Sequence, residues 1–218
     1  MKSDTVFIYQ MGKVGSTTIE GSVSGSVNVH DFYGNYVCPP RAALLGFGLK
    51  EKIGRYVLRI AISLRRNIKI ITIDRDDAER NVSMYLQDFP FWYVYGIKHG
   101  VIRNKDEGED VIERVFDQCF DHNYPANWRK NEFERLTEVD LNLYRSLENY
   151  IVINKKRFNI LYIKMSFLNS SEINSILTDF CGKKITLVDH NRGGKKWYSN
   201  IYESHKDALL EIARKKER

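Results

Sequence analysis

Seven consecutive residues, Gly12-Lys13-Val14-Gly15-Ser16-Thr17-Thr18, combine two glycines, one cation and three hydroxyls. Glycines let the backbone curl so that successive N–H groups point into one concavity. The lysine adds a full charge, and a helix starting at the end of the loop adds a fraction of one. That combination suits a phosphate. Gly12, Gly15, Ser16, Thr17 and Thr18 are therefore candidate donors to phosphate oxygens, and Lys13 is the candidate for charge that develops during a reaction. The Walker A pattern G-x-x-x-x-G-K-S/T is absent, because Lys13 precedes the second glycine and no lysine follows it. A lysine at the mouth of the loop reaches the oxygen bridging a phosphate and its terminal group. In nucleotide kinases the lysine and a Mg²⁺-binding hydroxyl share the β/γ charge instead.

A second cluster is Arg75-Asp76-Asp77-Ala78-Glu79-Arg80-Asn81-Val82-Ser83-Met84-Tyr85. Arg75 at a strand end and Ser83, eight residues on in a helix, are expected to converge on one phosphate, a forked charged donor beside a neutral one. Asp76 and Glu79 have capping-box spacing, and a purely structural account leaves Arg80 in solvent. Asp74 could instead be the metal-binding carboxylate of a kinase, but no Lys-Ser/Thr pair accompanies it. The third cluster, Arg192-Gly193-Gly194-Lys195-Lys196-Trp197-Tyr198-Ser199, offers Arg192 and Lys196 as anion ligands, while Trp197 and Tyr198 suit core equally well. Proton abstraction from a hydroxyl needs a base. His30, at a strand end, is the candidate, with Asp31 beside it and His99 as a second choice. Trp92, Tyr93 and Tyr95 could wall a sugar site or pack as core.

These side chains need elements to hold them. Residues 5–10 read as a buried strand, Thr17 and Glu20 as a capping box opening a helix, and 27–30 as a second strand. Residues 42–66 carry Ile53, Val57, Ile60, Ala61 and Leu64 at helical spacing. Residues 68–74 form the best strand, β-branched and apolar throughout. A helix should follow from Asp76 to about Pro90, then an irregular aromatic stretch at 91–95, then an amphipathic helix over 109–120 broken at Tyr124-Pro125. Residues 150–155 and 159–165 read as strands, 170–180 as a helix stopped by Gly182, 185–188 as a short strand, and 205–214 as a terminal helix. Strands alternating with helices imply a single three-layer α/β domain over 1–218 with a mainly parallel sheet, and ligands then bind at the strands' C-terminal ends.

The first loop resembles the 5′-phosphosulfate loop of sulfotransferases that use 3′-phosphoadenosine 5′-phosphosulfate (PAPS), approximately P-K-x-G-T/S-T, with Gly12 in place of the usual proline. The second cluster resembles their 3′-phosphate element, R-D-P-x-x-R-x-x-S-x-Y/F, matching everywhere except Asp77. Lys196-Trp197-Tyr198-Ser199 is similar to the N-K-W-Y-S motif near the end of a bacterial family of capsular polysaccharide synthesis proteins, with Lys195 replacing the Asn. The resemblance runs from Val6 to Tyr202. It implies a P-loop NTPase-like sulfotransferase fold, PAPS as the donor with its bisphosphate as product, no required metal, and a glycan or other hydroxylated acceptor. It also implies that Lys13 stabilises the leaving bridge oxygen, that Gly15 to Thr18 hold the 5′-phosphate, and that Arg75, Ser83, Arg192 and Lys196 grip the 3′-phosphate. His30 would be the base. The rivals are an atypical P-loop kinase and a non-catalytic anion-binding module.

Composition narrows the field. The net charge is +6, but the last five residues hold four cations and one anion, so half of the excess lies in the tail. A mildly basic body does not suggest nucleic acid as a partner. No run of about 18 apolar residues occurs, so no membrane span is expected. Three widely spaced cysteines and no export signal fit a reducing, cytoplasmic setting, and the scattered histidines suggest no metal site.

Overall fold

The computed structural model describes residues 5–34, 38–46, 49–103, 110–188 and 197–216. Its strands are β1 (Val6–Tyr9), β2 (Val27–Val29), β3 (Ile68–Asp74), β4 (Tyr150–Lys155) and β5 (Phe158–Lys164). Its helices are α1 (Ser16–Ser22), α2 (Pro39–Leu45), α3 (Leu49–Ser63), α4 (Asp77–Gln87), α5 (Phe89–Lys98), α6 (Asp110–Cys119), α7 (Tyr124–Trp128), α8 (Arg135–Thr137), α9 (Ile173–Cys181) and α10 (Ser199–Lys216). A π-helical turn, Arg129–Glu134, joins α7 to α8, and a 3₁₀ turn, Met165–Asn169, follows β5. The chain divides into two compact units, one of Met1–Asn35, Leu49–Arg75 and Ala126–Arg192, the other of Tyr36–Gly48, Asp76–Pro125 and Gly193–Arg218.

The first unit holds the whole sheet, in the order β2-β1-β3-β5-β4. The first four of these strands run parallel and β4 pairs antiparallel with β5. β3 and β5 pair over their full length, Ile68 with Phe158 through Asp74 with Lys164. Both are buried at every interior position but one, as near-continuous apolar strands covered on both faces should be. On one face the Lys69 ammonium donates to the Phe180 carbonyl at 2.8 Å, which seats α9. On the other, the Arg65 guanidinium beyond the end of α3 lies 5.6 Å from the Phe7 ring centroid. The unit is thus an α/β layering with helices on both sides of a mainly parallel sheet.

The second unit is helical. Its core gathers Tyr85, Trp92, Phe116 and Phe120, and Tyr85 lies 4.8 Å from Phe116 and 5.9 Å from Phe120. The Tyr85 hydroxyl donates to the Ile112 carbonyl at 2.6 Å, so the buried ring leaves no orphan donor. Asp76 caps α4 by accepting from the Glu79 amide at 2.9 Å, the bond its spacing predicts.

Several expectations need correction. The expected helix over 42–66 is two helices, and proline opens the first of them. Residues 91–95 are not irregular but lie within α5. The helix expected over 109–120 does end before Tyr124-Pro125, and these two residues start a new helix, α7. Residues 185–188 form no strand: the amides of Ile185, Leu187 and Val188 donate to Thr178 Oγ1, Asn174 Oδ1 and Ser22 Oγ at 2.9, 2.8 and 3.1 Å, so side chains take the place of a neighbouring strand. The Thr17–Glu20 capping box does not form either. Gly15 is the N-cap of α1, and Glu20 accepts instead from Asn28 Nδ2 at 2.8 Å.

Candidate anion-binding site

From β1 the chain moves outward to β2 and then crosses to β3 on the other side of β1. The order therefore reverses between β1 and β3, and the crevice beyond their C-terminal ends is where an open α/β sheet receives a ligand. The Gly12–Gly15 loop leaves β1 at that point, and Arg75 is the residue immediately after β3.

The loop is held in an uncommon shape. Met11 and Val14 are buried, so its apolar residues anchor it, while Gly12, Lys13 and Gly15 have φ of 52°, 63° and 85°. Glycine accepts such angles freely. In lysine the left-handed conformation costs about 1 kcal/mol, and strain of this kind persists only where neighbours enforce it. One enforcing contact is visible: Arg75 Nη1 donates to the Lys13 carbonyl at 3.2 Å. A side chain at Gly15 would be strained by its positive φ and crowded, since a Cβ would come within 3.2 Å of Leu168 Cδ1 in the 3₁₀ turn after β5.

Arg75 has its own support. Arg145 places Nη2 3.4 Å from the Arg75 carbonyl and Nε 3.1 Å from Asp74 Oδ2, and the Tyr162 hydroxyl donates to the same carboxylate oxygen at 2.8 Å. Burial, reinforced by the charge of Asp74, pushes the Tyr162 phenol above its usual range and keeps it a donor. Asp74 Oδ2 is thus held by both a cation and a phenol.

On the other side of β1 stands His30. Its Nδ1 lies 3.2 Å from the Gln10 carbonyl, and its own carbonyl accepts from Trp128 Nε1 at 2.7 Å. The carbonyl can only accept, so Nδ1 is the donor, and in the neutral form of this exposed ring Nε2 is the acceptor nitrogen. The segment after His30 is fastened by Glu132 in the π-helical turn. This one buried carboxylate accepts from the Tyr9 hydroxyl at 2.9 Å, the Phe32 amide at 2.7 Å and the Tyr33 amide at 3.1 Å. Tyr9 is packed between Trp128 and Phe133, with ring centroids 5.1 and 5.5 Å away. Burial, aided by Glu132, holds its phenol protonated.

The loop of Gly12, Lys13 and Gly15 is therefore joined to Arg75 through the Lys13 carbonyl in the sheet unit, with His30 following the neighbouring strand β2. Thr17 is exposed and Thr18 half-buried on α1, which Ser16 opens. α1 has only seven residues, so the expected helix-dipole contribution gives way to the loop amides and the two cations. Asp31 is paired with Arg55 at 2.8 Å and is not a free base. Ser83 belongs to the helical unit, buried in α4. So does Arg80, which is not in solvent: it is fully buried, 4.3 Å from the Tyr124 ring centroid, and donates to Asn81 Oδ1 at 2.9 Å. His99 ends α5 of that unit with its ring 4.0 Å from that of Tyr95, and Trp92 is core. Arg192 and Lys196 lie outside the described residues. Trp197 is exposed and Tyr198 buried.

Arg145, Tyr162, Trp128 and Glu132 carry no motif. Each acts through partners 70 or more residues away in the chain, and no local pattern marks them. No protein-family model matches the sequence, and no curated protein or solved structure proves significantly similar to it.

Proposed function

We propose that the chain is a sulfotransferase that moves a sulfuryl group from PAPS to a hydroxyl of a glycan. The observation that carries this reading is that the Arg75 guanidinium donates to the Lys13 backbone carbonyl at the β1/β3 reversal, so that one hydrogen bond ties the residue after β3 to the glycine loop after β1. Positive-φ glycines, a lysine and an arginine fit the charge of a phosphosulfate nucleotide. Bound there, such a donor supplies a sulfuryl group whose S–O bond to phosphate breaks as the acceptor oxygen forms its own.

The chain's residues then divide the work. His30 Nε2 takes the acceptor's proton while Nδ1–H stays on the Gln10 carbonyl, which fixes the ring plane. The Lys13 ammonium and the loop N–H groups stabilise the negative charge growing on the departing phosphate oxygen. Arg75, steadied by Arg145, binds phosphate as a forked donor. A sulfuryl group carries less charge than a γ-phosphoryl group, so two cations suffice without a metal. Ser83, Arg192 and Lys196 are not needed for this reading. The capsular or surface-glycan acceptor rests on the resemblance of Lys196 to Ser199 alone.

Calorimetric titration with adenosine 3′,5′-bisphosphate tests it. The expected result is micromolar binding without Mg²⁺, abolished by Lys13→Ala or Arg75→Ala. Tighter binding of Mg²⁺-ATP would overturn it in favour of a kinase.

A further inference from the structure

Helix α3 is built inside out. Ile53, Tyr56, Val57, Ile60 and Leu64 fall at i, i+3, i+4, i+7 and i+11 and share one face. The Leu64 amide still donates to the Ile60 carbonyl at 3.1 Å, so the face continues past the end of the helix. A stripe of this kind normally faces a core. Here the five residues are 53, 59, 56, 43 and 79% exposed.

What ties α3 to the sheet unit is mainly arginine. Arg55 pairs with Asp31, Arg59 lies 5.8 Å from the Tyr33 ring centroid, and Arg157 donates to the carbonyls of Ile62 and Ser63 at 3.2 and 2.8 Å. Ile62 is the buried apolar contact of this side. The segment 49–66 also carries Lys50, Lys52, Arg55, Arg59, Arg65 and Arg66 against Glu51 alone, a formal +5. Lys52 and Arg66 are exposed.

An aliphatic stripe with a tyrosine, on a segment that also exposes Lys52 and Arg66 and is cationic overall, is the pattern of a helix that lies in the surface of an anionic bilayer. Aliphatic side chains enter the boundary between headgroup and acyl chains, while lysine and arginine stems extend to lipid phosphates. A second copy of the chain is disfavoured, because a two-fold contact through this face would bring the exposed cations Lys52 and Arg66 of one copy toward those of the other. At 15 residues with this charge α3 lies on a bilayer rather than through it, and among the described residues no helix is long and apolar enough to cross a membrane. We propose that α3 is a peripheral anchor for anionic membranes, with Ile53, Tyr56, Val57, Ile60 and Leu64 as the inserting face. This rests on α3 alone and stands apart from the sulfotransferase reading.

Vesicle flotation of the full chain tests the proposal. The protein should float with phosphatidylglycerol/phosphatidylcholine vesicles, remain behind with phosphatidylcholine alone, and lose binding as salt rises. Val57→Asp with Ile60→Asp should weaken partitioning at least about tenfold. Lys52→Glu with Arg66→Glu should weaken it by a similar factor at low salt. Both pairs are exposed, so thermal midpoints should stay near that of the parent. In a Tyr56→Trp variant, indole emission should shift to the blue on adding anionic vesicles. Failure to float with anionic vesicles, or flotation indifferent to the aspartates, would overturn the proposal. So would self-association in sedimentation that the same aspartates abolish while no vesicle is bound.

Discussion

Arg75 and Arg80 stand five residues apart in one motif, yet they belong to different regions and do different work. In the sheet unit Arg75 is half-buried and holds the backbone of a strained loop. In the helical unit Arg80 is sealed against Tyr124 and Asn81. The contrast extends to the units themselves. Every non-glycine residue described with positive φ, namely Lys13, Glu138 and Lys156, lies in the sheet unit. Glu138 and Lys156 close turns and pair with each other at 2.6 Å, whereas Lys13 sits at the strand reversal. The helical unit instead concentrates aromatic packing. Of the three, Lys13 alone lies beside a second cation at a sheet's strand reversal, and the helical unit has no described non-glycine residue with positive φ.

Four substitutions and one pH titration test that contrast. Arg80→Ala has the largest expected effect, about 3 kcal/mol of lost stability in urea unfolding, because a buried cation–π contact and its volume disappear together. Arg75→Ala should leave stability nearly unchanged, and equal losses would erase the distinction. Gly15→Ala follows, costing about 2 kcal/mol from left-handed strain and the Leu168 contact, together with loss of bisphosphate binding by calorimetry. Lys13→Gly should raise stability by about 1 kcal/mol while abolishing that binding, opposite signs that a purely structural lysine would not produce.

The smallest effect is a pH dependence in the helical unit. Burial lowers the pKa of His122 below its ordinary value, against the smaller opposing effect of its bond to the Phe116 carbonyl. As pH falls through about 6.5 the unfolded chain takes up the proton first, so stability is full above that pH and declines below it until the folded state also protonates. Thermal midpoints measured from pH 7 to pH 5 should fall for the parent and fall less for His122→Gln.

Sequence reading succeeded where the determinants are local. The β-branched run of β3, the Asp76 cap and the curled glycine turn after β1 all express themselves within a few residues. It failed where the register or the partner is remote. The π-helical turn abandons the 3.6-residue period, so residues 126–137 show no pattern, and that silence hid Trp128 and Glu132. The spacing along α3 was legible, but periodicity cannot say whether a stripe faces core or solvent. Ile185–Val188 has strand-like residues but lacks a neighbouring strand, since side chains already occupy its amides. The joining of Arg75 to the loop depends on strand order, which no local motif encodes.

The π-helical turn also makes this chain sensitive to length. Its wider coil lets Trp128 and Phe133, five residues apart, press on the same tyrosine ring, which a 3.6-residue helix would set well apart around its axis. Deleting one exposed residue there, such as Lys130, would restore ordinary winding and turn one flank by about 100° against the other. A change invisible in composition would then pull Glu132 away from the segment that carries the histidine. In this stretch, insertions and deletions matter more than substitutions.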